Sequence, residues 1–450
     1  MKTRANSARA LAASVVARVL QEGAFLGKAL DSALSHANLE PRDKAFATEL
    51  AYGAVRWAGP LERSLLRGAD KPGRGIDKKL LPHLLVAAYQ LQHLDERVPA
   101  HAAVNECVSL VRQERPGLAG FANALLRRLG SAPHLQLAAG ASIEELTAAY
   151  GVPAEVVAYA VDGVDGSERQ QAVAAFNARP PLALRYLGPA ASRDQALAAL
   201  REIDPAIRPH PFVPEAFLVE AVGVPSRLPG FAEGLWLVQD PGSQLCALLV
   251  APAAGDVVLD LCAAPGGKSV VLARAAGERG RTLAVERDPA RARLIAENAR
   301  RIGVAIDVTV ADGTALPADV PGRVDAVLLD APCSGLGTLR RHPEIRLRRR
   351  STDLEELGQL QRRLLDAAAA RVRPGGALVY SVCSPLPQEG HAVVEEFLSA
   401  RSDFVVRSAS DVLPWLPDDA VTPAGYLRLQ VHRHEADAFF AVRLEKAPEV

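Results

Sequence analysis

The strongest constraint on the fold of this 450-residue chain lies in its second half, where short apolar runs alternate with helical stretches. The runs cover 257–261, 282–285, 306–310, 324–329 and 377–381, and apolar residues recur at helical spacing over 290–301 and 353–372. Strands joined by crossover helices pair in parallel, and a parallel sheet needs helices on both faces because both faces are apolar. In such sheets ligands bind beyond the carboxyl ends of the strands, so the loops after the five runs are where chemistry should be sought.

The chain is too long for one core, since cores stop growing near ~250–300 residues. Three parts are expected: an all-helical domain over 1–135, a small α/β connecting module over 136–235, and the parallel-sheet domain over 236–450. Apolar residues follow helical spacing from Ser7 to Leu129, with breaks at Pro41, Lys71-Pro72-Gly73 and Arg115-Pro116-Gly117. In the module, helical pieces over 143–150, 170–177 and 192–203 accompany extended segments over 182–186 and 217–220. The formal net charge is zero, yet residues 1–130 carry 19 Lys and Arg against 12 Asp and Glu, a net of +7. That excess favours contact between the helical domain and a polyanion. No apolar run approaches the ~18–20 residues that cross a bilayer, and Arg18 interrupts the first apolar stretch, so a cytoplasmic protein without membrane contact is expected. The five cysteines (Cys107, Cys246, Cys262, Cys333 and Cys383) form no C-x-x-C pair, which argues against a disulfide scaffold and a bound metal. Cys107 and Cys246 sit in apolar stripes and read as core residues.

Each strand end carries a distinctive loop. After 257–261 comes Cys262-Ala263-Ala264-Pro265-Gly266-Gly267-Lys268-Ser269. Its glycines let the backbone approach a ligand, and the following helix offers unpaired N–H groups to an anion. The loop resembles the end of a phosphate-binding P-loop, but Cys262 stands where that motif needs its first glycine. Glu286 closes the second run, 26 residues after Asp260, near the spacing at which an acid accepts ribose hydroxyls. Asp312 follows the third run and Asp330-Ala331-Pro332-Cys333-Ser334 the fourth, so Asp260, Glu286, Asp312 and Asp330 are expected to share one cleft. Arg340, Arg341, Arg346, Arg348, Arg349 and Arg350 stand against Glu344 alone, a net of +5 within eleven residues. Such density suggests a seat for RNA phosphates.

Three segments carry a resemblance. Asp-Leu-Cys-Ala-Ala-Pro-Gly-Gly-Lys-Ser at 260–269, Asp-Ala-Pro-Cys-Ser-Gly at 330–335 and Tyr-Ser-Val-Cys-Ser-Pro at 380–385 resemble the motifs of the RNA 5-methylcytosine methyltransferases. The stretch Arg340-Arg341-His342-Pro343-Glu344-Ile345 is similar to that of the bacterial RsmB (Sun/Fmu) branch, which methylates 16S ribosomal RNA, and the amino-terminal helices resemble its NusB-like domain. The resemblance implies a Rossmann-like methyltransferase domain and S-adenosylmethionine as cofactor. It implies cofactor contacts from Cys262 through Lys268 and from Glu286, Asp312 and Asp330. Cys383 would be the nucleophile and Cys333 the product-releasing cysteine. RNA, 16S rRNA in particular, is the implied partner, with no obligate protein partner. The sequence departs from the family pattern at Val382, at Gln388-Glu389-Gly390 and at Asp437-Ala438-Phe439-Phe440.

The chemistry agrees with that assignment. Carbon 5 of cytosine is a poor nucleophile until a thiolate adds at carbon 6, so an activated cysteine, a group on the pyrimidine edge and a held methyl donor are all required. Asp330 suits the pyrimidine edge. Lys268 can either stabilise a thiolate or pair with an acid. Two other readings remain open at this level: a DNA cytosine methyltransferase using Cys333, and an RNA-binding or antitermination-type scaffold with an inactive methyltransferase fold.

Overall fold

The computed structural model describes residues 7–67, 75–131, 137–220, 223–348 and 351–449. They form two compact units, Met1–Arg179 with Leu339–Arg349, and Pro180–Thr338 with Arg350–Val450. This differs from the expected three parts. The helices between residues 137 and 179 belong with the amino-terminal ones, and the boundary at 235 falls inside the second unit. The boundary at 135 and the Lys71-Pro72-Gly73 turn lie outside the described residues.

The first unit contains α1 (Ala8–Glu22), α2 (Leu26–His36), α3 (Pro41–Arg56), α4 (Ala58–Arg67), α5 (Leu81–His93), α6 (Ala100–Glu114), α7 (Ala119–Gly130), α8 (Ile143–Tyr150), α9 (Ala154–Ala160) and α10 (Glu168–Ala174). Helix α1 starts where the Ser7 side chain accepts the Ala10 N–H, and Gly23 ends it in the left-handed conformation. Ser142 and Glu145 cap α8 reciprocally. The apolar stripes of α1, α3, α4, α5 and α7 meet in one core, where Val15, Leu50, Leu61, Leu84 and Leu126 are fully buried. Each such side chain stabilises the unit by about 1.5–3 kcal/mol. No helix among the described residues is long and apolar enough to cross a membrane.

The second unit begins with β1 (Leu182–Tyr186), α11 (Arg193–Arg201), β2 (Arg208–Pro209), β3 (Ala216–Val219) and β4 (Trp236–Val238), which build an antiparallel sheet in the order β2-β3-β1-β4. Leu187 and Leu237 from this region share a core with Val270, Val271 and Ile302. There follow α12 (Pro241–Val250), β5 (Val257–Leu261), α13 (Gly267–Ala276), β6 (Arg281–Glu286), α14 (Pro289–Ile302), β7 (Asp307–Val310), β8 (Val324–Asp330), α15 (Ser351–Arg371), β9 (Val372–Val382), α16 (His391–Ala400), β10 (Phe404–Arg407), β11 (Leu427–Arg428) and β12 (Phe440–Lys446).

The large sheet runs β10-β12-β9-β8-β5-β6-β7, with β11 also paired to β12. Strands β5 to β9 are parallel, while β12 is antiparallel to β9 and β10 to β12. The chain therefore moves from β5 outward through β6 and β7, then crosses to the other side of β5 to lay down β8 and β9. This reversal between β5 and β8 opens a crevice at their carboxyl ends, where the loops after Leu261 and Asp330 lie side by side.

Candidate active site

The first loop of the crevice is held by α14. Cys262 takes a positive φ of 60° and turns the chain out of β5. The Ala263 N–H donates to the Val285 carbonyl at 3.1 Å. Arg291 donates to the Ala264 carbonyl at 3.2 Å, and Asn298 to the Pro265 carbonyl at 2.9 Å. Gly266 has φ 96°, and a Cβ there would lie 2.9 Å from the Ile295 Cα, so only glycine lets the loop sit this close to α14. With the Ala264 and Pro265 carbonyls taken up by α14, the loop passes straight into α13, whose first-turn amides have no side-chain cap, the usual setting for an anionic group.

Of the four acids expected in one cleft, Glu286 and Asp330 border it, Asp312 is exposed, and Asp260 is not in it. Glu286 is buried. Its Oε1 accepts the Asp288 N–H at 3.0 Å, whereas Oε2 is buried without a hydrogen-bond partner and 3.8 Å from Arg291. An orphaned acceptor of this kind is what a pair of ribose hydroxyls would satisfy. Asp312 accepts the backbone N–H and hydroxyl of Thr314 at 2.8 and 2.7 Å, which hold its carboxyl below the usual range. Asp260 is a correction to the sequence expectation. It is wholly buried, accepts the Ser269 hydroxyl at 2.5 Å, and is pushed up to about 7 by burial.

The chemistry-bearing groups lie at the ends of β8 and β9. Cys333 Sγ and Cys383 Sγ are 3.3 Å apart and are not joined in a disulfide. Cys333 is driven well above the ordinary thiol range by its hydrogen bond with Cys383 and then by burial. Lys268 donates to Asp330 Oδ2 at 2.8 Å, and the Ser381 hydroxyl donates to Asp330 Oδ1 at 2.9 Å. Burial disfavours the Lys268 charge, but Asp330 outweighs it and the ammonium stays protonated well above its ordinary range. The ammonium also sits 5.6 Å from the Phe439 ring centroid. The other thiols, Cys107, Cys246 and Cys262, are each pushed up to about 12 by burial.

Behind the sulfurs lies a buried carboxylate. Glu389 Oε1 accepts the Ser334 N–H at 2.6 Å and Gln361 Nε2 at 3.2 Å; Oε2 accepts the Ser334 and Ser384 hydroxyls, both at 2.5 Å. The late segment also closes on the site. Gly337 donates to the Cys383 carbonyl at 3.0 Å and accepts from the Ala438 N–H at 3.1 Å. A Cβ on Gly337 would lie 1.9 Å from the Ala438 oxygen, so this close approach excludes every other residue.

Residues 247–445 match the family described as 16S rRNA methyltransferase RsmB/F, and residues 6–131 match the NusB family. The chain is 35% identical, over 98% of its own length and 99% of the relative's, to ribosomal RNA small subunit methyltransferase B of Salmonella heidelberg (strain SL476). The chain belongs to the RsmB/F family of 16S rRNA methyltransferases. The fold is also that of the crystal structure of PH0851, at a TM-score of 0.78 and 24% identity over 99% of this chain and 100% of that one. NSun6 from Pyrococcus horikoshii with SFG aligns at a TM-score of 0.56 and 20% identity, covering 66% of this chain and 99% of that one.

In this RsmB/F-family chain the arginine-rich segment needs correction. Residues 339–348 pack within the helical unit, where Arg340, Arg346 and Arg348 are engaged by protein groups and do not stand open to phosphates as their sequence suggests. Arg340 is buried, its carbonyl accepting from Arg56 at 3.1 Å. Arg346 donates to the Arg56 carbonyl at 2.8 Å and to Asn177 Oδ1 at 2.9 Å. Its Nε and Nη2 are inaccessible, and burial pushes the guanidinium down to about 9. Arg348 donates to the carbonyls of Gly23 and Ala24, and its guanidinium carbon lies 4.4 Å from the Phe25 ring centroid. Glu344 is buried and accepts the Leu26 N–H at 3.2 Å. Local charge density could not reveal that backbone carbonyls of α1 to α3 meet these cations. Arg341 is half-buried, and Arg349 and Arg350 lie outside the described residues. Glu389, read in the sequence only as part of a departure, is the site residue that sequence reasoning missed; its one signal was a lone acid closely following the Cys383 motif.

Proposed function

We propose that this protein transfers a methyl group from S-adenosylmethionine to carbon 5 of a cytosine in 16S rRNA, with Cys383 as the nucleophile. The observation that carries this reading is the pair of cysteine sulfurs 3.3 Å apart, set beside the Lys268–Asp330 ion pair where two parallel strands end. Bound S-adenosylmethionine supplies an electrophilic methyl group. Glu286 Oε2 fits its ribose, and the amides at the start of α13, behind the Cys262–Lys268 loop, suit its carboxylate.

The remaining tasks belong to the chain. The Cys383 sulfur adds to carbon 6 of the cytosine, which makes carbon 5 enamine-like and able to accept the methyl group. Asp330, held by Lys268 and Ser381, is oriented to hydrogen-bond the pyrimidine edge as electron density shifts through the ring. Carbon 5 must then lose its proton, and the bond between carbon 6 and Cys383 must break. Cys333, whose sulfur lies 3.3 Å from that of Cys383, assists that release. A base acted on in this way must be unstacked, so an extruded or single-stranded cytosine is the substrate form. The helical unit, with its basic excess, serves as an RNA-binding surface. Incubating the protein with deproteinised 16S rRNA and methyl-labelled cofactor, followed by bisulfite mapping, tests the reading. One protected cytosine is expected; label at adenine or guanine, or in protein only, overturns it.

A further inference from the structure

Glu389 makes and breaks no bond in the chemistry above, yet it lies wholly buried behind the two sulfurs. A carboxylate removed from water is costly unless donors compensate it, and every one of its four contacts is a donor. Ser334, which contributes two of them, follows Cys333 directly in the chain, and Ser384, which contributes a third, follows Cys383. The fourth comes from Gln361, whose Nε2 also donates to the Pro332 carbonyl at 2.9 Å. The Glu389 carbonyl in turn accepts the Tyr380 hydroxyl at 2.6 Å, which ties the segment to β9. One side chain thus grips the residue next to each cysteine.

We propose that Glu389 is a positioning residue for product release, holding the Cys333 and Cys383 loops in one arrangement so that their sulfurs remain in contact. The proposal rests on the assignment of Cys333 to release. A fold-maintaining role alone would leave the chemistry of Cys333 untouched, but the Glu389 charge also acts on that thiol. It adds to the contact with Cys383 and to burial in raising the thiol's hold on its proton.

Glu389→Gln keeps the shape and removes the charge and part of the acceptor capacity. Three readouts test it in the full chain. Turnover on 16S rRNA should fall roughly tenfold or more, the equivalent of one charge-assisted hydrogen bond, with KM for S-adenosylmethionine unchanged. A denaturant-resistant RNA adduct should accumulate. The pH midpoint for iodoacetamide alkylation of Cys333, followed by peptide mass spectrometry, should move down. Ser384→Ala, which retains the charge, should slow release without moving the midpoint, and it carries the kinetic test if circular dichroism shows that Glu389→Gln is unfolded. Wild-type turnover in a folded Glu389→Gln protein, or an unmoved midpoint, overturns the proposal. If Cys333→Ala itself traps no adduct, the release assignment has failed instead, and the alkylation midpoint still decides whether Glu389 governs the cysteine pair.

Discussion

Asp260→Asn should make the second unit less sensitive to pH. Asp260 is completely buried at the end of β5, its Oδ2 accepting the Ser269 hydroxyl and its Oδ1 having no hydrogen-bond partner. Burial is the largest cause that pushes its carboxyl from the ordinary 3.8 to about 7; Ser269 and Lys268 oppose the rise, and Asp330 reinforces it. Because the folded-state value is raised, the contribution to stability is fully present below about pH 4 and is lost as pH climbs through 7. A pH unit corresponds to ~1.36 kcal/mol while only the unfolded state is ionised, so between pH 5 and pH 8 the wild-type protein should lose about 3 kcal/mol through this one group. The asparagine variant keeps an acceptor for Ser269 and has nothing to ionise. Urea unfolding of both proteins at pH 5, 6, 7 and 8 should therefore give a stability difference that shifts by about 3 kcal/mol in favour of the variant across that range. Parallel pH profiles for the two proteins would show that Asp260 is not the buried acid described here.

Glu286→Ala should weaken S-adenosylmethionine binding, measured by calorimetry, by roughly tenfold or more, since charge-assisted hydrogen bonds contribute about 1.5–3 kcal/mol each. Unchanged affinity would remove Glu286 from the cofactor site. Arg346→Ala should lower the stability of the helical unit by about 1–3 kcal/mol, because Asn177 Oδ1 and the Arg56 carbonyl lose their donor. The same variant should leave the salt dependence of RNA binding unchanged; a slope shallower by about one charge would return Arg346 to the phosphate contacts.

Local patterns carried much of the architecture. Expected segments over 143–150, 182–186 and 257–261 coincide with α8, β1 and β5, each bounded by strong punctuation such as Ser142 with Gly151 or Pro180-Pro181 before β1. Strands β10 and β12 were not legible in this way. β10 follows the crossover helix α16 but is only four residues long, and β12 inserts antiparallel between β9 and β10, so it finds its partners across the sheet. The site divides similarly. Gly266 and Lys268 belong to a contiguous loop whose spacing carries meaning. The role of Glu389 depends on donors 5, 28 and 55 positions away, and that of Arg346 on a carbonyl 290 positions away. The burial of Asp260 is likewise a property of the packed sheet, since an acid at a strand end faces water or core according to what the neighbouring helix covers.

The assignment of the two thiols is tested most directly by incubating Cys383→Ala and Cys333→Ala separately with 16S rRNA and S-adenosylmethionine and resolving each mixture on a denaturing gel. Cys383→Ala should give neither methylated RNA nor a retarded protein band, because no sulfur remains in place to add to carbon 6. Cys333→Ala should accumulate a denaturant-resistant RNA–protein complex carrying the transferred methyl group, having completed addition and transfer but not release. A trapped complex in Cys383→Ala, and none in Cys333→Ala, would reverse the roles of the two sulfurs and contradict the account.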